Sequence, residues 1–233
     1  MIIGLHDADK DPYIREGKRR RQKAEFPNYA LMKISAYHKS RGDTVEWWSP
    51  MLTDRFDKIY SSKVFDFTEE NPYLPDWAIR GGTGYTDIPL NQELDPEIDA
   101  AFPDYSIYPA CDYAIGFLTR GCPNCCRWCV VPQKEGPVRP YREWKDIVRP
   151  DSRKLVLMDN NILSCEYGIK RVNQKVYPCV EQGNQQGKSP VTDQCTKIKI
   201  LFAGSQVNQF FEVIKHKEKR RQHSQKPCII SVT

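Results

Sequence analysis

No stretch of the 233 residues approaches the about 18 consecutive apolar residues that a membrane span needs. The N-terminus, Met1 to Asp9, lacks the basic segment followed by an apolar one that marks a secretory signal. The expectation is therefore a cytoplasmic chain with no membrane partner. A disulfide framework is missing too. The nine cysteines are an odd number, and four of them crowd between positions 122 and 129 instead of spreading along the chain. In a chain without a signal, such crowding favours metal ligation. There is no Ser/His/Asp arrangement that marks a nucleophilic triad, and His38, His216 and His223 have no carboxylate or cysteine context. Gly81-Gly82-Thr83-Gly84 lacks the spacing of a dinucleotide fingerprint or a P-loop and reads as a flexible turn.

A mean hydropathy of −0.65 with 39% hydrophobic residues describes a soluble, globular chain with material for a core. The net charge of +5 is unevenly placed: residues 1–170 carry 24 Lys+Arg against 26 Asp+Glu, and residues 171–233 carry 11 against 4. The basicity belongs to the last quarter, where Lys215–Lys226 supports at most nonspecific nucleic-acid binding. Lys18-Arg19-Arg20-Arg21 reads as a solvated face before it reads as a nucleic-acid patch. Nucleic acid is not expected as a partner.

Met1–Leu5 is a short apolar run consistent with a buried strand. Phe26-Pro27-Asn28 opens a helical stretch with Ala30, Leu31, Ile34, Ala36, Tyr37 and His38 on its apolar face, closed at Ser40-Arg41-Gly42-Asp43. Thr44–Trp48 and Lys58–Phe67 read as strands. This order predicts a small Rossmann-like α/β layer over residues 1–108, with 85–109 as a Pro/Asp/Asn-rich connector. A second unit, 109–170, starts with a strand over Ala114–Leu118. A helix over Trp144–Val148 and a strand over Leu155–Met158 follow. That strand ends at Asp159-Asn160-Asn161, a turn, a helix cap or a ligand-facing set, since parallel α/β sheets place ligands at strand C-termini. Residues 171–233 hold nine of the twelve glutamines and none of the five tryptophans, and read as a divergent, poorly determined tail with helical periodicity only at Gln209–Ile214. Cys111, Cys165, Cys179, Cys195 and Cys228 show no ligand spacing and read as buried or incidental thiols.

The cluster runs Gly121-Cys122-Pro123-Asn124-Cys125-Cys126-Arg127-Trp128-Cys129. Two ligand sets fit it: Cys122, Cys126 and Cys129 as CxxxCxxC, or pairs from Cys122, Cys125, Cys126 and Cys129 as a zinc site. The zinc set is compressed, because zinc knuckles normally stand a dozen or more residues apart.

CxxxCxxC with an aromatic before its last cysteine resembles the signature of the radical SAM superfamily. The approach Gly116-Phe117-Leu118-Thr119-Arg120-Gly121-Cys122-Pro123 and the following Val130-Val131-Pro132 resemble its methylthiotransferase and cobalamin-domain branches. The resemblance implies a 4Fe–4S cluster held by Cys122, Cys126 and Cys129, with Cys125 a bystander. S-adenosylmethionine would chelate the fourth iron and be reductively cleaved to a 5′-deoxyadenosyl radical. It also places Trp128 near the adenine, puts Asp159, Asn160 and Asn161 near the SAM amino group, and calls for an electron donor such as flavodoxin or ferredoxin. The substrate is unknown. The DxHxxG element of cobalamin binding is absent, since His6 is followed by Asp7-Ala8-Asp9. The implied fold is a partial (β/α) barrel. Six βα units need about 190 residues, and Tyr113–Thr233 supplies 121. The barrel is therefore expected to be incomplete. The alternatives are a catalytically inactive truncated homologue and a zinc-binding interaction module.

Overall fold

A strand buried on both faces must be apolar throughout, and Ile2-Ile3-Gly4-Leu5 meets that demand at the centre of a parallel sheet. In the computed structural model, which describes residues 1–11, 26–173 and 199–202, the chain divides into two compact units, Met1–Cys111 and Asp112–Thr233. It is an α/β protein, and no helix among the described residues is long and apolar enough to cross a membrane. Several sequence features lie outside the described residues: Lys18–Arg21, Gln209–Ile214, Lys215–Lys226, Cys179, Cys195, Cys228, His216 and His223.

The first unit holds β1 (Ile2–Asp7), α1 (Tyr29–Ser40), β2 (Thr44–Trp47), β3 (Lys58–Ser62), β4 (Ile79–Gly81) and α2 (Pro96–Ala100). The four strands are parallel in the order β2-β1-β3-β4. Asn28 caps α1, its side chain accepting from Leu31 N at 3.3 Å. Gly42, at φ 83°, ends the helix in a conformation that favours glycine. Ile3, Leu5, Leu31, Ile34 and Ile98 form one core. Trp48, Phe56, Ile59 and Ala78 form another.

Three sequence expectations change here. The buried side of α1 includes Lys33 and Ser35, because the expected connector folds back as α2 and the 3-10 turn Tyr105–Ile107. Lys33 Nζ donates to the Asp99 carboxylate at 2.8 Å and Ser35 Oγ to Asp104 at 2.6 Å. The strand expected over Lys58–Phe67 stops at Ser62. Asp9 turns the chain away by accepting from Val64 N at 2.7 Å and Thr68 Oγ1 at 2.6 Å. The glycine turn has a strand, β4, leading into it. Gly82 sits at φ 103°, and a Cβ there would lie 2.2 Å from the Lys63 carbonyl oxygen.

The sheet also assembles a polar row that sequence did not suggest. His6 Nδ1 meets Ser61 Oγ at 2.7 Å, and His6 Nε2 meets Asp11 at 2.7 Å. Ser61 Oγ is shared with Tyr85 OH at 2.6 Å, and Asn71 donates to Asp11 at 2.6 Å. All five residues are buried, so Ser61 is closed to a substrate and the row acts as a satisfied core network.

Asp104 gives this unit an acid-sensitive joint. Burial pushes its carboxyl up, but hydrogen bonds from Lys39, Ser106 and Ser35 outweigh that and hold it at about 2, against an ordinary 3.8. A depressed carboxylate contributes stability above its unfolded pKa, which is lost as pH falls through the folded value. With solvent screening discounted, about 1–2 kcal/mol should disappear between about pH 4 and pH 2. Urea titrations across that range should show a steeper loss for the native chain than for Asp104→Asn. Equal slopes would remove Asp104 as the cause.

The second unit holds β5 (Ala114–Gly116), β6 (Thr119–Arg120), α3 (Val131–Lys134), β7 (Arg139–Pro140), β8 (Lys154–Leu157), α4 (Glu166–Asn173) and β9 (Lys199–Phe202). β5, β8 and β9 are parallel in the order β5-β8-β9. Within the stretch read as a divergent, poorly determined tail, Lys199–Phe202 is a strand, and α4 runs across residue 170. The expected helix at Trp144–Val148 is a single 3-10 turn, Trp144–Asp146. Ala114, Leu118, Ile147, Leu155, Leu157 and Ile162 form the core. Gly116 lets Ile147 approach: a Cβ there would lie 2.6 Å from its Cγ2. Among the described residues this is a three-stranded sheet, and a partial barrel is not shown.

Candidate metal centre

β6 and β7 pair antiparallel, with Thr119 opposite Pro140 and Arg120 opposite Arg139. Residues 121–138 therefore leave the second unit as one hairpin excursion that carries all four clustered cysteines. Its neck is fixed by backbone. Cys122 N donates to the Gly136 carbonyl at 3.1 Å. Gly121 sits at φ 82°, and a Cβ there would lie 2.2 Å from the Pro137 carbonyl oxygen. Only glycine fits this crossing without strain.

Glu135, which sequence reasoning missed, ties the neck together. Its carboxylate accepts from Gly121 N at 2.8 Å and Asn160 Nδ2 at 2.9 Å, and pairs with Arg120 at 2.8 Å. Its side chain is 9% exposed, so these partners are what make its charge tolerable there. The Arg120 guanidinium lies over the Phe117 ring at 4.2 Å. Burial, with Arg120 nearby, pulls the Lys134 ammonium below its usual range, against the pull of Glu135.

The end of β8 supplies the other half of the support. Asp159 accepts from Leu118 N at 3.1 Å, from Thr119 N at 2.5 Å and from Thr119 Oγ1 at 2.6 Å. Burial pushes its carboxyl up, and these hydrogen bonds pull against that shift. Asn160 serves Glu135. Asn161 Nδ2 donates toward Cys122 Sγ at 3.7 Å. The three residues that the family resemblance would put near a SAM amino group hold, in order, the approach to the loop, the neck clamp and one thiol. Of the three, Asn161 alone reaches Cys122, and Trp128 is 89% exposed.

At the tip, Cys129 N donates to the Cys126 carbonyl at 3.0 Å, closing a tight turn between those two cysteines. Cys125 lies just outside that turn. Cys125 and Cys126 are exposed, Cys122 and Cys129 are partly exposed, and all four are free thiols. Among the described residues, no three Cys, His, Asp or Glu side chains gather round a common point. The donor set still fits a thiophilic centre by its chemistry. It offers several unpaired thiols on one loop with a fixed neck and an open tip, and ligation is what closes such a loop. Zinc and iron–sulfur both fit donors of this type. Comparison of the chain with protein-family models, with curated proteins and with solved structures finds no match.

Proposed function

We propose that this chain binds a 4Fe–4S cluster through Cys122, Cys126 and Cys129 and works with S-adenosylmethionine as radical SAM proteins do. The observation that carries this reading is the placement of Cys122. It stands at the carboxyl end of a parallel sheet, where α/β proteins bind ligands, with its backbone and its sulfur both held. When bound, such a cluster supplies one-electron reductive cleavage of the sulfonium C–S bond, using an electron from a flavodoxin- or ferredoxin-type donor. The chain's own residues do the positioning. Glu135 and Gly121 fix the spacing of the neck. Asp159 fixes the strand that leads into it. The Cys126–Cys129 turn brings the backbones of two further cysteines together on the same loop as Cys122. The Rossmann-like character of the first unit, the incomplete barrel of the second and the cytoplasmic setting belong to the same proposal, as does a reaction on a substrate of unassigned class.

Anaerobic reconstitution with iron and sulfide tests it. A brown protein with about four irons per chain is expected. After reduction its EPR signal should change on addition of S-adenosylmethionine. A colourless protein holding one zinc would replace this reading with a zinc-binding interaction module. A cluster that forms but ignores S-adenosylmethionine would leave an inactive homologue.

A further inference from the structure

We infer that Asn161 acts on the sulfur of Cys122, tuning the reduction potential of the centre, and does not contact the sulfonium ligand. The inference rests on the proposed cluster and adds a positioning residue to it. The two side chains that precede Asn161 are already committed: Asp159 to Leu118 and Thr119, and Asn160 to Glu135. The Asn161 carbonyl is committed too, accepting from Ser164 N at 3.1 Å and Ser164 Oγ at 2.6 Å. That fixes the backbone from which its side chain reaches. Its amide nitrogen points at Cys122 Sγ from 3.7 Å, inside the range of a hydrogen bond to sulfur. The sulfur is held from its own side by the Cys122 N bond to Gly136. Donor and acceptor thus meet between two anchored backbones.

An N–H aimed at a ligand sulfur places partial positive charge beside it. Added negative charge on the centre is then stabilised, so the reduced state gains more than the oxidised state. Hydrogen bonds to ligand sulfurs and outer partners of this kind set potential and metal affinity in iron–sulfur and other metal sites. Removing the donor should lower the potential. Replacing it by a carboxylate should lower it further.

The test uses the full chain, reconstituted anaerobically, as native protein and as Asn161→Leu, Asn161→Asp and Asn161→Ser. Redox titrations followed by EPR give the midpoint without S-adenosylmethionine, and titration of the EPR change gives its Kd. Asn161→Leu is expected to keep its iron and to disfavour reduction about tenfold, which is about 59 mV for one electron. Asn161→Asp should shift further in the same direction. S-adenosylmethionine affinity should stay within about twofold of native. An unchanged midpoint, whatever happens to the affinity, overturns the inference. If that unchanged midpoint comes with a weakened Kd, Asn161 belongs to the sulfonium ligand instead. Iron lost from Asn161→Leu but kept by Asn161→Ser, which retains a donor, supports the contact. Iron lost from all three variants counts against it, since the residue would then act only on loop folding. A native chain that takes up no cluster defeats the underlying proposal and is distinguishable from every one of these results.

Discussion

Cys126→Ala should emerge from reconstitution with almost no iron, while Cys125→Ala should keep the native complement. The two cysteines are adjacent, both exposed and both free, so the contrast tests geometry and not accessibility. The bond from Cys129 N to the Cys126 carbonyl brings the backbones of those two residues together. Their thiols can converge on one centre with little further cost in chain entropy. Cys125 precedes the turn and shares none of that closure. Cys122→Ala and Cys129→Ala should match Cys126→Ala, because a cluster held by three thiolates does not survive on two. Iron and sulfide analysis with the visible absorption of the brown chromophore reads the result. Indistinguishable Cys125 and Cys126 variants would mean that the ligand register is wrong. Loss of metal in all four single variants would point to a four-thiolate zinc site.

The legible parts of this molecule are those whose cause is local. The apolar run at Ile2–Leu5, the Asn28 cap and the Gly42 terminus lie within a few residues of what they control, and β1 and α1 appear where those signals put them. The CxxxCxxC spacing is equally local. What sequence could not show depends on partners far along the chain. Asp9 ends β3 from 55 residues away, and Asn161 finds Cys122 from 39. Glu135 is a lone acid after Lys134, and nothing in its neighbourhood marks it. Its partner Gly121 is 14 residues away, and only the β6–β7 pairing brings them together. The His6–Ser61–Asp11 row stayed hidden for the same reason, its hydroxyl lying 55 residues from its imidazole. β9 was obscured by its surroundings. Four residues of strand in a Gln-rich, basic stretch carry too little periodicity to outweigh the composition. Asp159, Asn160 and Asn161 fall between these cases. Their position after a strand marked them as chemistry-bearing, but their partners, Leu118 and Thr119, Glu135 and Cys122, lie 25 to 41 residues away and could not be read from it.

Asp159→Ala should then cost the second unit about 3 kcal/mol or more, the largest stability effect expected of a single polar side chain here. Three donors lose their acceptor at once: Leu118 N, Thr119 N and Thr119 Oγ1. Leu118 and Thr119 are fully buried, so water cannot replace the carboxylate. Each buried donor left unpaired costs about 1–3 kcal/mol, against a total of about 5–15 kcal/mol for a domain. Asp159→Asn should fall between native and alanine. It keeps one acceptor oxygen but turns an amide toward a backbone N–H. The pH dependence separates charge from geometry. Because burial raises the folded pKa of Asp159 above its ordinary 3.8, the protonated acid is the form the fold favours. Its contribution is full below about pH 3.8 and declines as pH rises through the folded value. That decline should vanish in Asp159→Asn, which carries no proton to lose. Urea unfolding across that pH range measures both effects, and iron uptake should fall with stability because Thr119 opens the strand that leads into the neck. Unfolding unchanged in Asp159→Asn, with S-adenosylmethionine affinity reduced about tenfold, would give the carboxylate to the sulfonium ligand and take it from the frame.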